Sequence, residues 1–313
     1  MTLSDHVRTL GRGPGRSRSL AQDEACDAMS LMLGDDAAPE AVGALLMLLR
    51  MKGETAQEIA GLAAAAQAGM AGLPKVDLDW PSYAAGRTRG APWFLMSAKL
   101  VAQAGHRVLL HGWNGADPKV RAGLHGAGIR IARSSDEAAR LLDSDRIAYL
   151  PLETFHAALF RLLTLRDVLG LRSCINTVCR MLNPGAATAS VQGVFHPSYR
   201  LLQADAGALL GWRDLTVIKG GGGEFERHPG KDIAAFGLRS HAPWEHSYPA
   251  TIDETRRLTD PDRTGQWDPE HVTAFETEIV TGTTAVALHT LGVCDATDVA
   301  RALWNSRKMA EVA

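Results

Sequence analysis

Residues 45–61 read LLMLLRMKGETAQEIAG, and the organisation of the chain can be worked outward from that stretch. Pro39 opens a helix just upstream, where its fixed φ and missing N–H cost nothing. Val42, Leu45, Leu46 and Leu49 then recur at three- and four-residue intervals, which gives one apolar stripe. Gly53 ends this helix, Thr55 caps the next, and Ile59, Leu62 and Ala66 continue the inner face. Further upstream, Ser19 can cap a helix, with Gln22 at the capping-box spacing. Ala25, Met29 and Met32 keep the same period until Gly34 stops it. Three short helices with tight breaks make a small helical domain.

Residues 1–19 are polar and turn-rich. Arg8, Arg12, Arg16 and Arg18 are spaced by Gly11, Gly13, Pro14 and Gly15, and Asp5 is the only acid. The glycines and proline forbid a long helix. The segment reads either as a frayed terminus or as a mobile cationic arm suited to phosphate backbones.

After Pro74 the pattern changes. Short apolar runs at 108–110, 129–132, 148–150, 191–194 and 215–218 alternate with helix-like stretches, the rhythm of an α/β sheet. Residues 92–105 read as the helix feeding Val108. Residues 154–169 read as a helix buried between layers, and 272–291 as a late helix broken near Thr281 and Gly282. Residues 229–249, rich in proline and histidine, read as a long irregular excursion. The expected fold is therefore α/β, a small N-terminal helical domain with a larger α/β domain around a central mixed sheet. The expected boundary puts the helical domain at 1–74, completed by helices within about 154–185, and the α/β domain at 75–313.

The bulk composition excludes some classes. With 313 residues, 46% hydrophobic and 22% charged, the chain can bury a sizeable core. A net charge of −2 argues against a polycation that grips nucleic acid with its whole surface, while leaving room for a local basic patch. No apolar run reaches the ~18 residues of a membrane span. Cys26, Cys174, Cys179 and Cys294 form no CxxC pair, so buried reduced thiols and a cytoplasmic location are expected. The histidines show neither HxH nor HExxH spacing.

Five motifs in order resemble the anthranilate phosphoribosyltransferase family. They are LLMLLRMKGET at 45–55; LLHGWNG around His111 and Gly112, where the family has KHGNR; LGLRSCINTVCRMLNP at 169–184, similar to LGxRTxFNLLGPLxNP; GVFHPSY at 193–199; and VIKGGGGEFE at 217–226, where the family has a glycine-rich turn ending in an acidic pair. The resemblance covers most of the chain, from about Asp23 to the late helix. It implies a phosphoribosyl-diphosphate site, and the departures gather there. The family's GTGGD loop, whose backbone N–H groups wrap the diphosphate, is Tyr83-Ala84-Ala85-Gly86-Arg87 here, and the following NxST segment is Pro92-Trp93-Phe94-Leu95. The lysine before His-Gly is Leu110. These losses make ordinary transfer to anthranilate an unlikely activity on the sequence alone.

What remains reads two ways at each position. Arg87 and Arg89 in the rewritten loop can hold phosphate by side chain or stand solvated. Glu224 and Glu226 correspond to the family's magnesium-holding acidic pair, and in an extended segment would face one side; they read equally as retained metal ligands or solvated acids. Magnesium is expected only if donor binding is retained. Arg166 aligns with the arginine that engages the anthranilate carboxylate, and would suit an acidic ligand or an ion pair with Asp167. His156 aligns with the histidine of the family's HPAMK segment. Asn176 and Asn183 read as scaffold.

Three functional readings follow from this. Members resembling the family but lacking the diphosphate loop imply non-specific DNA or RNA binding. Arg87, Arg89, Arg107, His111, Asn114 and Arg166 with the arginine arm would hold phosphates, and Trp80, Tyr83 and Trp93 would stack on bases. Alternatively, the chain is a working glycosyltransferase with another acceptor, its surviving parts being Glu224, Glu226, His111, Asn114 and Arg166. A weaker third reading is a regulatory module for a small anionic metabolite. Homodimerisation through the helical domain, as the resemblance implies, is expected in each case.

Overall fold

The computed structural model describes residues 1–70, 72–84, 90–115, 117–254, 256, 258 and 268–307. Four helices come first: α1 (Leu3–Gly11), α2 (Gln22–Leu33), α3 (Pro39–Lys52) and α4 (Ala56–Ala68). Pro39 is the first residue of α3, and Gly53 closes it at φ 83°, a conformation that glycine adopts without strain. Thr55 caps α4 by accepting from Glu58 N–H, while Glu58 reaches back to Thr55 N–H. Gly61 lets α2 and α4 touch, since a Cβ there would lie 2.1 Å from the Gln22 carbonyl oxygen.

The α/β part follows as β1 (Leu78–Ser82), α5 (Phe94–Gln103), β2 (Val108–Gly112), α6 (Lys119–Gly126), α7 (Ser135–Asp145) and β3 (Ile147–Pro151). The chain then runs through α8 (Leu152–Phe155), α9 (Ala157–Thr164), α10 (Arg166–Leu169) and α11 (Ile175–Arg180) before β4 (Ala189–Val194), α12 (Tyr199–Leu209) and β5 (Asp214–Lys219). It closes with β6 (Ile233–Arg239), β7 (Ala242–Tyr248), α13 (Ala274–Thr290) and α14 (Ala296–Ser306). The sheet order is β3-β2-β1-β4-β5-β6-β7, parallel from β3 to β5 and antiparallel at β6 and β7. The expected helical domain and mixed-sheet α/β domain are both present. One apolar core packs α5 and α13 against the sheet. A second joins α1–α4 to Leu152, Leu159, Leu162, Leu163, Ile175 and Val178.

Several local expectations are corrected. Residues 1–19 are not a loose arm, because α1 buries Leu3, His6 and Leu10. The cap of α2 is Ala21, not Ser19. Residues 129–132 form no strand and contribute only an isolated bridge from Ile131 to Tyr149. Residues 154–169 break into three short helices, with His156 between the first two. The late helix runs unbroken: Thr281 and Thr284 hydroxyls donate to carbonyls four residues back, and Gly282 makes room for the Arg227 side chain, 3.2 Å from where a Cβ would sit. Residues 229–249 are not irregular, since they contain the β6–β7 hairpin. All four cysteines are free as expected, yet Cys294 is exposed and Cys26 half-buried. Burial raises the Cys174 and Cys179 thiols above their ordinary range. No described helix is long and apolar enough to cross a membrane.

Candidate functional site

Sheet order reverses direction about β1 and β4, and in such sheets ligands sit outside the carboxyl ends of the strands at that switch point. Asp79, on β1, is fully buried. One carboxylate oxygen accepts from His111 Nε2 at 3.0 Å and the other from the Ser190 hydroxyl at 2.7 Å. On the other side of the ring, His111 Nδ1 hydrogen-bonds the Tyr83 hydroxyl at 2.8 Å. Burial raises the Tyr83 phenol well above its ordinary range, so it keeps its proton. Asn176 Nδ2 then donates to the Tyr83 carbonyl at 3.0 Å. This chain of contacts ties β1, β2, β4 and α11 together.

Glu224 closes the same region. Its Oε1 accepts from the Ser82 hydroxyl at 3.0 Å, the Ala84 backbone N–H at 3.1 Å and Asn114 Nδ2 at 3.1 Å. Glu226 Oε2 accepts from the backbone N–H of Phe94, at the start of α5, at 3.1 Å. Close approach is built in at Gly193, where a Cβ would lie 2.0 Å from the Glu224 carbonyl carbon. Glu224 thus reaches the end of β1, and Glu226 the start of α5. Glu224 Oε1 takes all three of these donors, while the carboxylate's other oxygen makes none of these contacts, and both side chains are buried.

The other predicted residues separate into groups. His111 and Asn114 are buried and engaged by carboxylates, so neither presents itself to a phosphate. Arg107 lies at the opposite end of β2, paired with Asp143 at 3.1 Å, so its placement near the cleft is corrected. Arg8 pairs with Asp5 at 3.1 Å. Arg18 makes a two-pronged contact to Glu24 at 2.5 and 2.7 Å, and that contact holds the Glu24 carboxyl down at about 2. Arg12 and Arg16 are exposed just after α1. Arg87 and Arg89 lie outside the described residues. Trp80, Tyr83 and Trp93 are buried, Trp80 packing on Phe94 and Phe225, which corrects their reading as base-stacking platforms. His156 caps α9 and contacts the Ala66 carbonyl, a structural role. Asn183 ties its own turn through Ala187.

Arg166 is the predicted residue that opens onto space. It lines a cavity of about 620 Å³ between the α3–α4 corner, the α10–α11 segment and the end of β4. Arg50, Arg172 and Arg180 line it as well, with Asn176, His196 and Tyr199. Arg180 is held by three carbonyl oxygens: Nε donates to Gly193 at 3.1 Å, and Nη1 to Asn176 main chain at 2.8 Å and side chain at 2.6 Å. Arg50 reaches across to the Arg172 carbonyl at 2.6 Å. Tyr199 donates to Glu54 at 3.0 Å, its phenol pushed up to about 12 by burial and then by that carboxylate. Sequence reasoning missed Arg50, Arg172 and Arg180. A signal existed for Arg180, which stands where the motif LGxRTxFNLLGPLxNP has proline.

Residues 4–69 match the family model described as the helical bundle domain of a glycosyl transferase family. The anthranilate phosphoribosyltransferase of Myxococcus xanthus is 32% identical over 235 residues, 73% of this chain and 68% of that protein. This chain belongs to the anthranilate phosphoribosyltransferase family. The enzyme of the same name from Roseiflexus is 34% identical over 231 residues, and that from Hyphomonas neptunium 30% over 226. The alignments span 71% and 70% of this chain but only 65% and 64% of those two relatives. Among solved structures, anthranilate phosphoribosyltransferase from Thermus thermophilus superposes with TM-score 0.79 at 20% identity, covering 96% of this chain and 94% of that one. The Saccharomyces cerevisiae enzyme in complex with PRPP and Mg gives 0.73 at 16% identity, with 96% and 92% covered. At such identities these structural likenesses speak for the family fold alone.

Proposed function

We propose that this chain is a pentosyltransferase-type protein that takes an anionic small molecule into the cleft between its helical and α/β domains, held at Arg166, and that it is not competent for transfer to anthranilate. The observation that carries the reading is the 620 Å³ cavity with Arg50, Arg166, Arg172 and Arg180 on its walls. A concave site of this size suits a small ligand, and guanidinium forks match carboxylate geometry. Family membership supports glycosyl transfer as the chemistry. In that chemistry catalysis is positioning of donor and acceptor with stabilisation of developing charge. The Asp79–His111–Tyr83 chain and the Glu224 contacts keep the strand ends rigid beneath the cleft.

Nucleic acid is the less supported occupant. Its proposed stacking side chains are buried, and Arg8, Arg18 and Arg107 are paired with carboxylates. Two assays test the reading together. Incubation with anthranilate, phosphoribosyl diphosphate and magnesium is expected to release no diphosphate above background, and measurable turnover would sink the claim of incompetence. Anisotropy of a labelled single strand is expected to show binding weaker than about 10⁻⁴ M at physiological salt. Tight, salt-sensitive binding would put nucleic acid in place of the small molecule.

A further inference from the structure

Besides its arginines, the cavity has a neutral polar wall. Helix α12 carries Tyr199 and Gln203 one turn apart on the same face, and both line the space. The Tyr199 hydroxyl is taken by Glu54. Gln203 is different. It is only 1% exposed, and its Oε1 has no hydrogen-bond partner among the described residues. From α11, Thr177 adds a second buried polar residue to the lining, at the position where the motif LGxRTxFNLLGPLxNP has leucine.

Gln203 is the telling member. An amide oxygen taken out of water and left without a donor destabilises the folded chain, and such atoms are uncommon in native structures. Methionine would fill a similar volume without that cost. Here the unpaired oxygen belongs to a residue on the wall of a large cavity, where a ligand can supply the missing donor. Arg166 keeps 27% of its side chain exposed, so the charged grip lies nearer to solvent and Gln203 lies deeper.

We infer that the ligand of this cleft is a hydroxy acid, its acid group held at Arg166 and its hydroxyl donating to Gln203 Oε1. The inference rests on the cleft reading proposed above and names its ligand class. Gln203 then sets specificity. An acid that lacks the donor leaves Oε1 without a partner in the complex as well.

Calorimetric titration of the full chain with benzoate, with 3- and 4-hydroxybenzoate and with the methyl ethers of both tests this. One of the two hydroxybenzoates is expected to bind about tenfold more tightly than benzoate, as one hydrogen bond to an otherwise unpaired buried oxygen implies. Its methyl ether, which cannot donate, is expected to show no such gain. In Gln203→Met the preference for the hydroxybenzoate over benzoate is expected to fall to about twofold or less. The comparison with the ether needs no variant, so the test stands whatever the substitution does to the fold. Equal affinities of benzoate and both hydroxybenzoates in the wild type, a gain shared by the ether, or a preference that survives in Gln203→Met, would overturn the inference. If all the ligands bind the wild type alike and all are lost in Arg166→Ala, the cleft reading stands without the hydroxyl. If none binds the wild type, both readings fall.

Discussion

Replacing Glu58 by alanine is expected to lower stability by about 3–5 kcal/mol, the usual cost of removing one partner from a buried charged contact. Glu58 is fully buried at the start of α4. Its Oε1 accepts from Leu20 N–H at 2.9 Å, and its Oε2 from Thr55 N–H and Lys52 Nζ, each at 2.8 Å. Alanine strands all three donors at once. It also detaches the 20–21 corner from the α3–α4 corner, since Leu20 and Glu58 are far apart in sequence. Glutamine keeps an acceptor oxygen and should recover part of the loss. Urea melts of the wild type and both variants measure this. A loss below about 1 kcal/mol for alanine would mean that water reaches these donors, contrary to the burial seen.

Asp79→Ala is expected to cost about 3 kcal/mol, because two buried donors, His111 Nε2 and the Ser190 hydroxyl, lose their acceptor, each worth roughly 1–3 kcal/mol when left unsatisfied. The effect reaches further than stability. Tyr83 is positioned by His111, and the Tyr83 carbonyl receives Asn176, which in turn aims Arg180. The variant should therefore also weaken ligand binding in a cleft that Asp79 does not touch. Denaturant midpoints give the first effect and titration of the folded variant the second. A destabilised variant with unchanged affinity would disconnect the buried chain from the cleft.

What could be read in advance follows from how local each signal is. The α3 and α4 boundaries were legible because Pro39, Gly53 and Thr55 act within one turn of themselves. Strand β1 was not legible, although it is central, because LDWPS carries Pro81 where a central strand should not. The structure accommodates it: β4 pairs with β1 only at Leu78 and Asp79, while Leu78 and Ser82 bond towards β2. The missing N–H of Pro81 falls on the side where β4 has already parted. The β6–β7 hairpin was hidden for a similar reason. Its turn places Ser240 and His241 at φ 47° and 69°, a left-handed pair that usually announces itself through Asn-Gly or Asp-Gly. Helix α13 looked broken at Gly282, since nothing in the sequence shows that Arg227 packs against that glycine.

The candidate site was legible only in fragments. Motif resemblance pointed to Arg166, and the structure opens it onto a cavity. The same resemblance pointed to His111, Asn114, Glu224 and Glu226, which turn inward: Asn114 to Glu224, His111 and Glu224 to β1, and Glu226 to the start of α5. Arg50, Arg172 and Arg180 belong to segments separated by more than a hundred residues at the widest, and only the packing of α3 against the α10–α11 segment brings them to one wall.

The most direct measurement is the affinity of benzoate for the wild type and for Arg166→Ala at one low ionic strength, where screening is slight. Saturable binding to the wild type is expected, weakening at least about tenfold in the variant through the loss of a charge-assisted contact. Equal affinity in the two proteins, or no binding to the wild type, would contradict the claim that this cleft is an anion site built on Arg166.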